Sequence, residues 1–452
     1  MTNVYVTPWR LPGPAGAALP EYLKLWRFEQ YYRLSGDQLP AVLSREALAG
    51  WDLVFGRWKP GGRVLGAWLW LFRLPSGQVA AALTIDVAGE LAEVIDLLED
   101  CYFEDVQIGD APVAERAHAA AARLGADDSA ERTFLPERHQ IVFGACPAPE
   151  VAEDVVQRLV YRADLPYRKE HSAIRYPAEL NRRPGWLAAV GPYVSVACGH
   201  SDFIENAIFT SAVQGAGAAA QLREIRQAAY ADVRRFRSLD AAGGSTRSRR
   251  QVLEQIADQL GDLELELSYS VEASADFGLL VPSLRAESFH TALYESMGLA
   301  GKAETAARML ERLSAAIGAE LTAIESIERR ADENRRVRYA VAAGFISVVA
   351  IPASLILGFL GINASQVNSG RSMFSHHYLA AYLAVSAVVV LGAAVSVAVW
   401  LQQRRDARHQ RAPAQPPRWT PAPDRPPEVK GRLGDPTAPR SGGAHREPAG
   451  GT

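Results

Sequence analysis

Cysteine is scarce in this chain. Cys101, Cys146 and Cys198 are the only three in 452 residues, and none is spaced like a metal-ligand pair. That excludes a disulfide framework or a zinc module and fits a reduced, cytosolic compartment. A strong charge of one sign is also missing. The net charge is −3, which gives no basic footprint for nucleic acid. Residues 1–30 lack a basic segment followed by an apolar run, so no signal peptide is expected. Gly56 to Gly66 holds four glycines without the pattern of a phosphate loop. Cys198, His200 and Asp202 lie close along the chain, but nucleophile and base meet through a fold rather than by adjacency. No catalytic residue is assigned, and no enzyme is expected.

Two uncharged apolar runs stand against these absences. The first, Tyr339 to Leu360, is roughly 22 residues and about 33 Å long as a helix, enough for a bilayer core. The second, Tyr378 to Leu401, is of similar length. Between them lies a polar link, 361–377, whose one charged side chain is Arg371, beside His376 and His377. Arginines crowd the outer flanks: Arg329, Arg330, Arg335, Arg336 and Arg338 before, Arg404, Arg405, Arg408 and Arg411 after. The positive-inside bias then predicts a multi-pass protein of the inner (plasma) membrane, with both termini cytoplasmic and the link outside.

Ahead of the runs, more than 300 residues suffice for one or two cored domains. Residues 1–20 read as irregular, punctuated by Pro8, Pro12, Pro14 and Pro20, and Glu21 to Tyr32 reads as a short helix. Val64 to Leu74 and Gln78 to Ile85 flank Pro75-Ser76-Gly77 and predict a hairpin of buried strands. Glu90 to Asp105 has a helical period at Leu91, Val94, Ile95 and Leu98. Ala111 to Arg132 reads as a helix plus a loose connection, His139 to Phe143 as a strand, and Val151 to Val160 as a helix. This order predicts an α/β or α+β cytosolic domain over 1–185. Trp186 to Cys198 reads as core. Helical patterns follow over about 202–237, 247–273 and 283–297, and a bundle and stalk are expected over 186–338. Within it, Lys302 to Arg338 steps its apolar residues by three or four, at Leu310, Leu313, Ile317, Leu321, Ile324 and Ile327. That predicts a rod of about 55 Å, either one helix of a bundle or a coupling element into the first run. The tail, 402–452, is basic and Pro-rich with few large apolar residues, and is expected to be disordered.

The first run shows one face of small or polar residues, Ala340, Ala343, Ser347, Ile351, Ser354 and Gly361. Such a stripe suits close helix packing, or a wetted path at an oligomer axis. Pro352 fits either. Gly361-Ile362-Asn363 closes the run. Taken alone it is a helix cap.

The long helix, two C-terminal runs, mid-run proline and Gly-x-Asn together resemble the CorA-type magnesium transporter family. The resemblance extends over 302–411 and is one of architecture alone before that. In that family the motif is Gly-Met-Asn, and five copies set asparagine oxygens around the outer pore mouth. Gly361 and Asn363 carry over, and Ile362 replaces the methionine. The resemblance implies a homo-oligomer, a pentamer, embedded in the lipid bilayer and conducting Mg²⁺, with Asn363 holding a hydrated ion and Ala340, Ala343, Ser347, Ile351 and Ser354 lining the path. It also implies Mg²⁺ as a regulatory ion at cytosolic carboxylates, for which Glu90, Glu93, Asp96, Glu99, Asp100, Glu104 and Asp105 are candidates, although a solvated helix face explains the same run. The link departs from the family pattern, because Ala364 to His377 holds no Asp or Glu. His376 and His377 suit a membrane-interface pair or a soft-metal ring. No organic cofactor and no nucleic-acid partner is expected. The rival readings are a non-transporting, membrane-anchored signalling or interaction protein, and a regulated pore acting as a stress or defence effector.

The arginine asymmetry makes a direct prediction about sidedness. Reporter fusions at Thr452 and within 364–372 should report opposite sides of the membrane, and the same side for both would end the hairpin reading.

Overall fold

Strand and helix patterns alternate through the first 200 residues, and the fold keeps the strands expected at 64–74, 78–85 and 139–143 while adding others that the pattern did not indicate. The computed structural model describes residues 1–11, 21–25, 28–34, 38–57, 63–127, 131–144, 153–163, 178–183, 186–241 and 246–351, and beyond these single positions or short stretches between 354 and 401. Gly361, Ile362 and Asn363, nearly all of the 361–377 link and the whole 402–452 tail lie outside the described residues.

The chain opens with β1 (Thr2–Arg10), a 3-10 turn at Glu21–Leu23, α1 (Glu29–Leu34) and β2 (Ala41–Leu48). Next come β3 (Leu53–Phe55), β4 (Arg63–Arg73), β5 (Gln78–Ala88), α2 (Leu91–Phe103), β6 (Val106–Ile108), β7 (Ala111–Pro112) and α3 (Val113–Ala122). β8 (Arg138–Gly144), α4 (Glu153–Tyr161), β9 (Ala178–Arg183), β10 (Trp186–Val190) and β11 (Val194–Cys198) complete the strands. Helices then take over: α5 (Asp202–Ala241), α6 (Thr246–Glu266), α7 (Phe277–Leu280), α8 (Leu284–Met297) and α9 (Leu299–Phe345).

Eight strands form one sheet in the order β2-β4-β5-β1-β8-β11-β10-β9, and β3-β6-β7 form a second, small one. Every pairing in the large sheet is antiparallel except β8 with β11, so the class is α+β. The expected hairpin is β4–β5, with Leu69 opposite Leu83 and Leu71 opposite Ala81. The sheet continues past residue 185 through β10 and β11, so the apolar stretch from Trp186 to Cys198 belongs to it.

The chain's start is not irregular. β1 is a central strand between β5 and β8, with Val4, Tyr5, Val6 and Trp9 buried. Pro8 hid it, because proline cannot donate to a ladder. The register against β5 shifts between Val6 and Arg10, the kind of irregularity that admits a proline inside a sheet. Likewise the helix expected over 21–32 resolves into the 3-10 turn and α1.

Two cores sandwich the sheet. On one face Tyr5, Leu69, Leu71, Leu83 and Trp9 pack with Ile95, Leu98 and Val113 of α2 and α3 and with Val156 of α4. On the other, Val4, Trp70, Phe72 and Ala82 pack with Ile208, Ala212 and Ala216 of α5 and Phe289 and Leu293 of α8. A third core joins the later part of α5 to α6 and α9 through Leu222, Ile225, Leu253, Ile256, Leu310, Leu313 and Ile317. By compactness the chain divides into Met1–Glu328 and Arg329–Thr452.

Two buried histidines hold the first unit together by staying neutral. His290 Nδ1 accepts from Ser211 Oγ at 2.7 Å, and its Nε2–H donates to the Ser274 carbonyl at 2.9 Å. Its ring stacks on Phe277. His139 Nε2 lies 2.8 Å from Ser195 Oγ, inside the sheet. Burial lowers His290 to about 4 and His139 to about 3, with backbone groups of Ser274 and Pro192 partly opposing the shift. The unfolded chain takes up these protons near pH 6.5, whereas the native state refuses them until the lower values. Stability is therefore fully present above about pH 6.5 and is lost as pH falls toward 4, by up to about 1.4 kcal/mol per pH unit for each histidine. Burial raises Glu104, Glu137 and Glu205, which act in the opposite sense. The comparison must therefore be differential. Denaturant titrations from pH 7 to 4.5 should show a shallower fall for His290→Asn than for wild type, and identical slopes would refute the assignment.

Candidate functional site

The residues expected to line a path sit at the end of α9 and just beyond it. Ala340 and Ala343 lie on α9, Ser347 lies in a π turn over Ile346–Ala350, and Ile351 and Ser354 come after it in helical conformation. All five are exposed. Ser354 Oγ donates to the Ile351 carbonyl at 2.9 Å, so its hydroxyl is satisfied along its own helix. The π turn precedes Pro352 in the sequence, a residue that itself lies outside the described ones. A π turn spaces its residues more widely than an α-helix, so positions on either side of it do not keep the α-helical face by which they were grouped. The sequence spacing carries no sign of this turn except the proline.

Large apolar side chains are bare along this stretch and the second run. Tyr339 is 75% exposed and Ile346 59%, while Leu383, Val390 and Leu391 each exceed 60%. No helix among the described residues is long and apolar enough to cross a membrane. Seven of the 22 positions of the first run and nine of the 24 of the second fall outside those residues, as do Gly361, Ile362 and Asn363.

In the first unit, five of the seven acidic candidates on and around α2 take structural partners. Glu90 and Glu93 form a capping box at the start of the helix. Asp100 is buried and accepts from the Arg57 backbone N–H at 2.9 and 2.8 Å, Glu99 pairs with the Arg57 guanidinium, and Glu104 pairs with Arg138 at 2.9 Å. Among the described residues no group of three or more His, Cys, Asp or Glu is placed to hold a metal ion. An open cleft of about 250 Å³ lies between Phe55, Gly56, Glu104, Asp105, Gln107 and Pro112, and a cavity of about 10 Å³ beside Gln214 and Gln221 has room for a water at most.

A polar knot that the sequence did not reveal ties β8 to α2, α4 and β1. Gln140 donates from Nε2 to Asn3 Oδ1 at 2.6 Å and to the Leu98 carbonyl at 2.8 Å, and Oε1 accepts from Arg162 at 3.1 Å. The Arg162 guanidinium lies 3.7 Å over the Tyr102 ring, and Arg138 stands 5.1 Å from that ring. Burial lowers Arg162, while Tyr102 and Glu99 favour its charge. This arrangement fixes charges in place and offers no nucleophile beside a base. The two Ser–His contacts also fail as catalytic pairs. Ser211, His290, Ser195 and His139 are at most 1% exposed, so no substrate reaches them. In the Cys198–His200–Asp202 stretch, Cys198 ends β11, Asp202 opens α5, and His200 uses Nε2 on the Leu187 carbonyl at 2.9 Å.

No family model, curated protein or solved structure matches this chain.

Proposed function

We propose that the chain is a membrane-embedded homo-oligomer whose C-terminal hairpin conducts divalent cations, Mg²⁺ first, in the manner of CorA-type transporters. Its α+β unit and helical bundle then stand on the cytosolic side. One observation carries the reading. α9 runs for 47 residues, about 70 Å, but its buried positions end at Ile324. Ile327, expected on the same apolar face, is 57% exposed, and from Glu325 onward the described side chains are exposed or half-exposed. The uncharged apolar surface that follows its arginines calls for lipid or for further copies. Both are what a stalk entering a membrane oligomer supplies. Two spans cannot enclose a polar path alone, so conduction requires several copies around an axis.

A second reading rests on the link. With Arg371, His376 and His377 and no carboxylate, its outer mouth does not gather cations, which favours a hairpin that anchors a signalling domain.

Two measurements separate these readings. Native mass spectrometry of the full chain in detergent should show an oligomer of about five, and a monomer or dimer leaves only the anchor. In liposomes, Asn363→Ala removes the amide oxygen offered to a hydrated ion while leaving span length intact. Mg²⁺ flux should fall about tenfold, the equivalent of roughly 1.4 kcal/mol for one charge-assisted contact. Flux equal to that of empty liposomes for wild type and variant alike, with the oligomer intact, would sink the transporter reading.

A further inference from the structure

We infer that the end of α9 is a binding collar for anionic phospholipid headgroups. The inference rests on the membrane reading above. Between 329 and 338 the helix carries Arg329, Arg330, Arg335, Arg336 and Arg338 against Asp332 and Glu333, a net +3 in ten residues. All of them are exposed. Asp332 and Arg335 approach to 3.9 Å with both side chains at least 70% exposed, a contact of negligible worth. Among the described residues Arg329, Arg330, Arg336 and Arg338 form no ion pair.

Their placement around the helix identifies the partner. At about 100° per residue the five arginines fall near 0°, 100°, 240°, 340° and 180°, all the way round the axis. A seam against another helix would be a stripe with an apolar spine. Here the one large apolar side chain in the segment is Val337, 44% exposed. A cationic ring on every side suits a medium that surrounds the helix, and phosphate is the group that guanidinium binds in a two-pronged manner.

Depth along the axis sharpens the assignment. Arg335, Arg336 and Arg338 lie within about 6 Å of Tyr339, where the uncharged run begins, and a headgroup layer is roughly 5–8 Å thick. Tyr339, three-quarters exposed, occupies the level at which aromatic residues belt a membrane interface. Arg329 and Arg330 stand about 14 Å back from Tyr339, outside that layer by about one Debye length at physiological salt. The inner three therefore bind lipid and the outer two contribute little.

The test uses the full chain in nanodiscs of phosphatidylcholine with one-quarter phosphatidylglycerol, with retained lipid counted by native mass spectrometry after detergent extraction. Wild type should retain phosphatidylglycerol at least about fivefold over its bulk share. The triple change Arg335→Gln, Arg336→Gln, Arg338→Gln should bring retention to the bulk ratio, while Arg329→Gln with Arg330→Gln leaves it nearly unchanged. Arg338→Gln alone should lower it partway, and serves if the triple variant fails to insert. Wild-type retention at the bulk ratio, equal loss from both variant sets, or co-purifying nucleic acid in place of lipid would each overturn the collar. Alkaline carbonate extraction of the same membranes separates the two levels of failure. Release of the wild-type chain refutes the membrane reading and the collar with it, whereas a retained chain without lipid preference refutes the collar alone.

Discussion

The close approach of α5 to the sheet is the contact on which the rest of the first unit depends. α5 is 40 residues long and serves two cores, packing Ile208, Ala212 and Ala216 on the sheet and then Leu222 and Ile225 on α6 and α9. It manages both because the stretch between Ala212 and Ala220 is mostly alanine and glycine. A side chain at Gly217 would place its Cβ 2.7 Å from Leu74 of the β4–β5 turn, and one at Gly215 would meet Leu293 of α8 at 3.2 Å. A larger residue there must push these leucine side chains aside or displace the helix. The same displacement would strip the cover from Leu222 and Ile225 one or two turns later, so the sheet core and the bundle core share one spacing.

The bundle core in turn sets where α9 is covered. Leu310, Leu313, Ile317 and Ile324 fill it, and the Arg249–Glu320 and Arg250–Glu328 pairs run along its edge. Partly exposed pairs of this kind add little energy, so burial rather than charge fixes the helix. Where burial stops, at Ile324, the sequence changes from an apolar stripe to arginines. The rod is thus two materials in one helix, a bundle member and a segment whose described side chains are exposed or half-exposed.

Much of this was legible in the residues. The β4–β5 hairpin announces itself through two apolar runs around Pro75-Ser76-Gly77, and α2 and α9 through their helical periods. β1 was not legible, because Pro8 argues locally against a strand and only the flanking strands β5 and β8 make the bulged register worthwhile. β2 lacked a clean alternation because Arg45 lies on its face and stacks among Tyr22, Trp68 and Trp70. Nor could sequence pair Ser211 with His290, 79 residues apart, or bring Arg162 onto Tyr102. Those contacts depend on how helices cross, which periodicity does not encode. Of the candidate site, Gly361 and Asn363 rest on the sequence alone, and the π turn before Pro352 shows why α-helical spacing is an incomplete guide to which residues share a face there.

A ring of arginines sits awkwardly with cation conduction, and the conflict has a physical resolution. Because the collar covers the whole circumference, any axial assembly turns some of its guanidinium groups toward the axis, where repeated copies would repel a divalent ion. Asp332 and Glu333 offset only two of five charges in each copy. Lipid phosphates can neutralise the outward arginines, but those facing an axis need another counter-charge or must swing outward on their long stems to reach the headgroups. A conducting state would then require the inner arginines to be drawn away from the axis. Anionic lipid would be a condition for opening rather than a passive surrounding, and a purely anchoring hairpin would carry no such requirement.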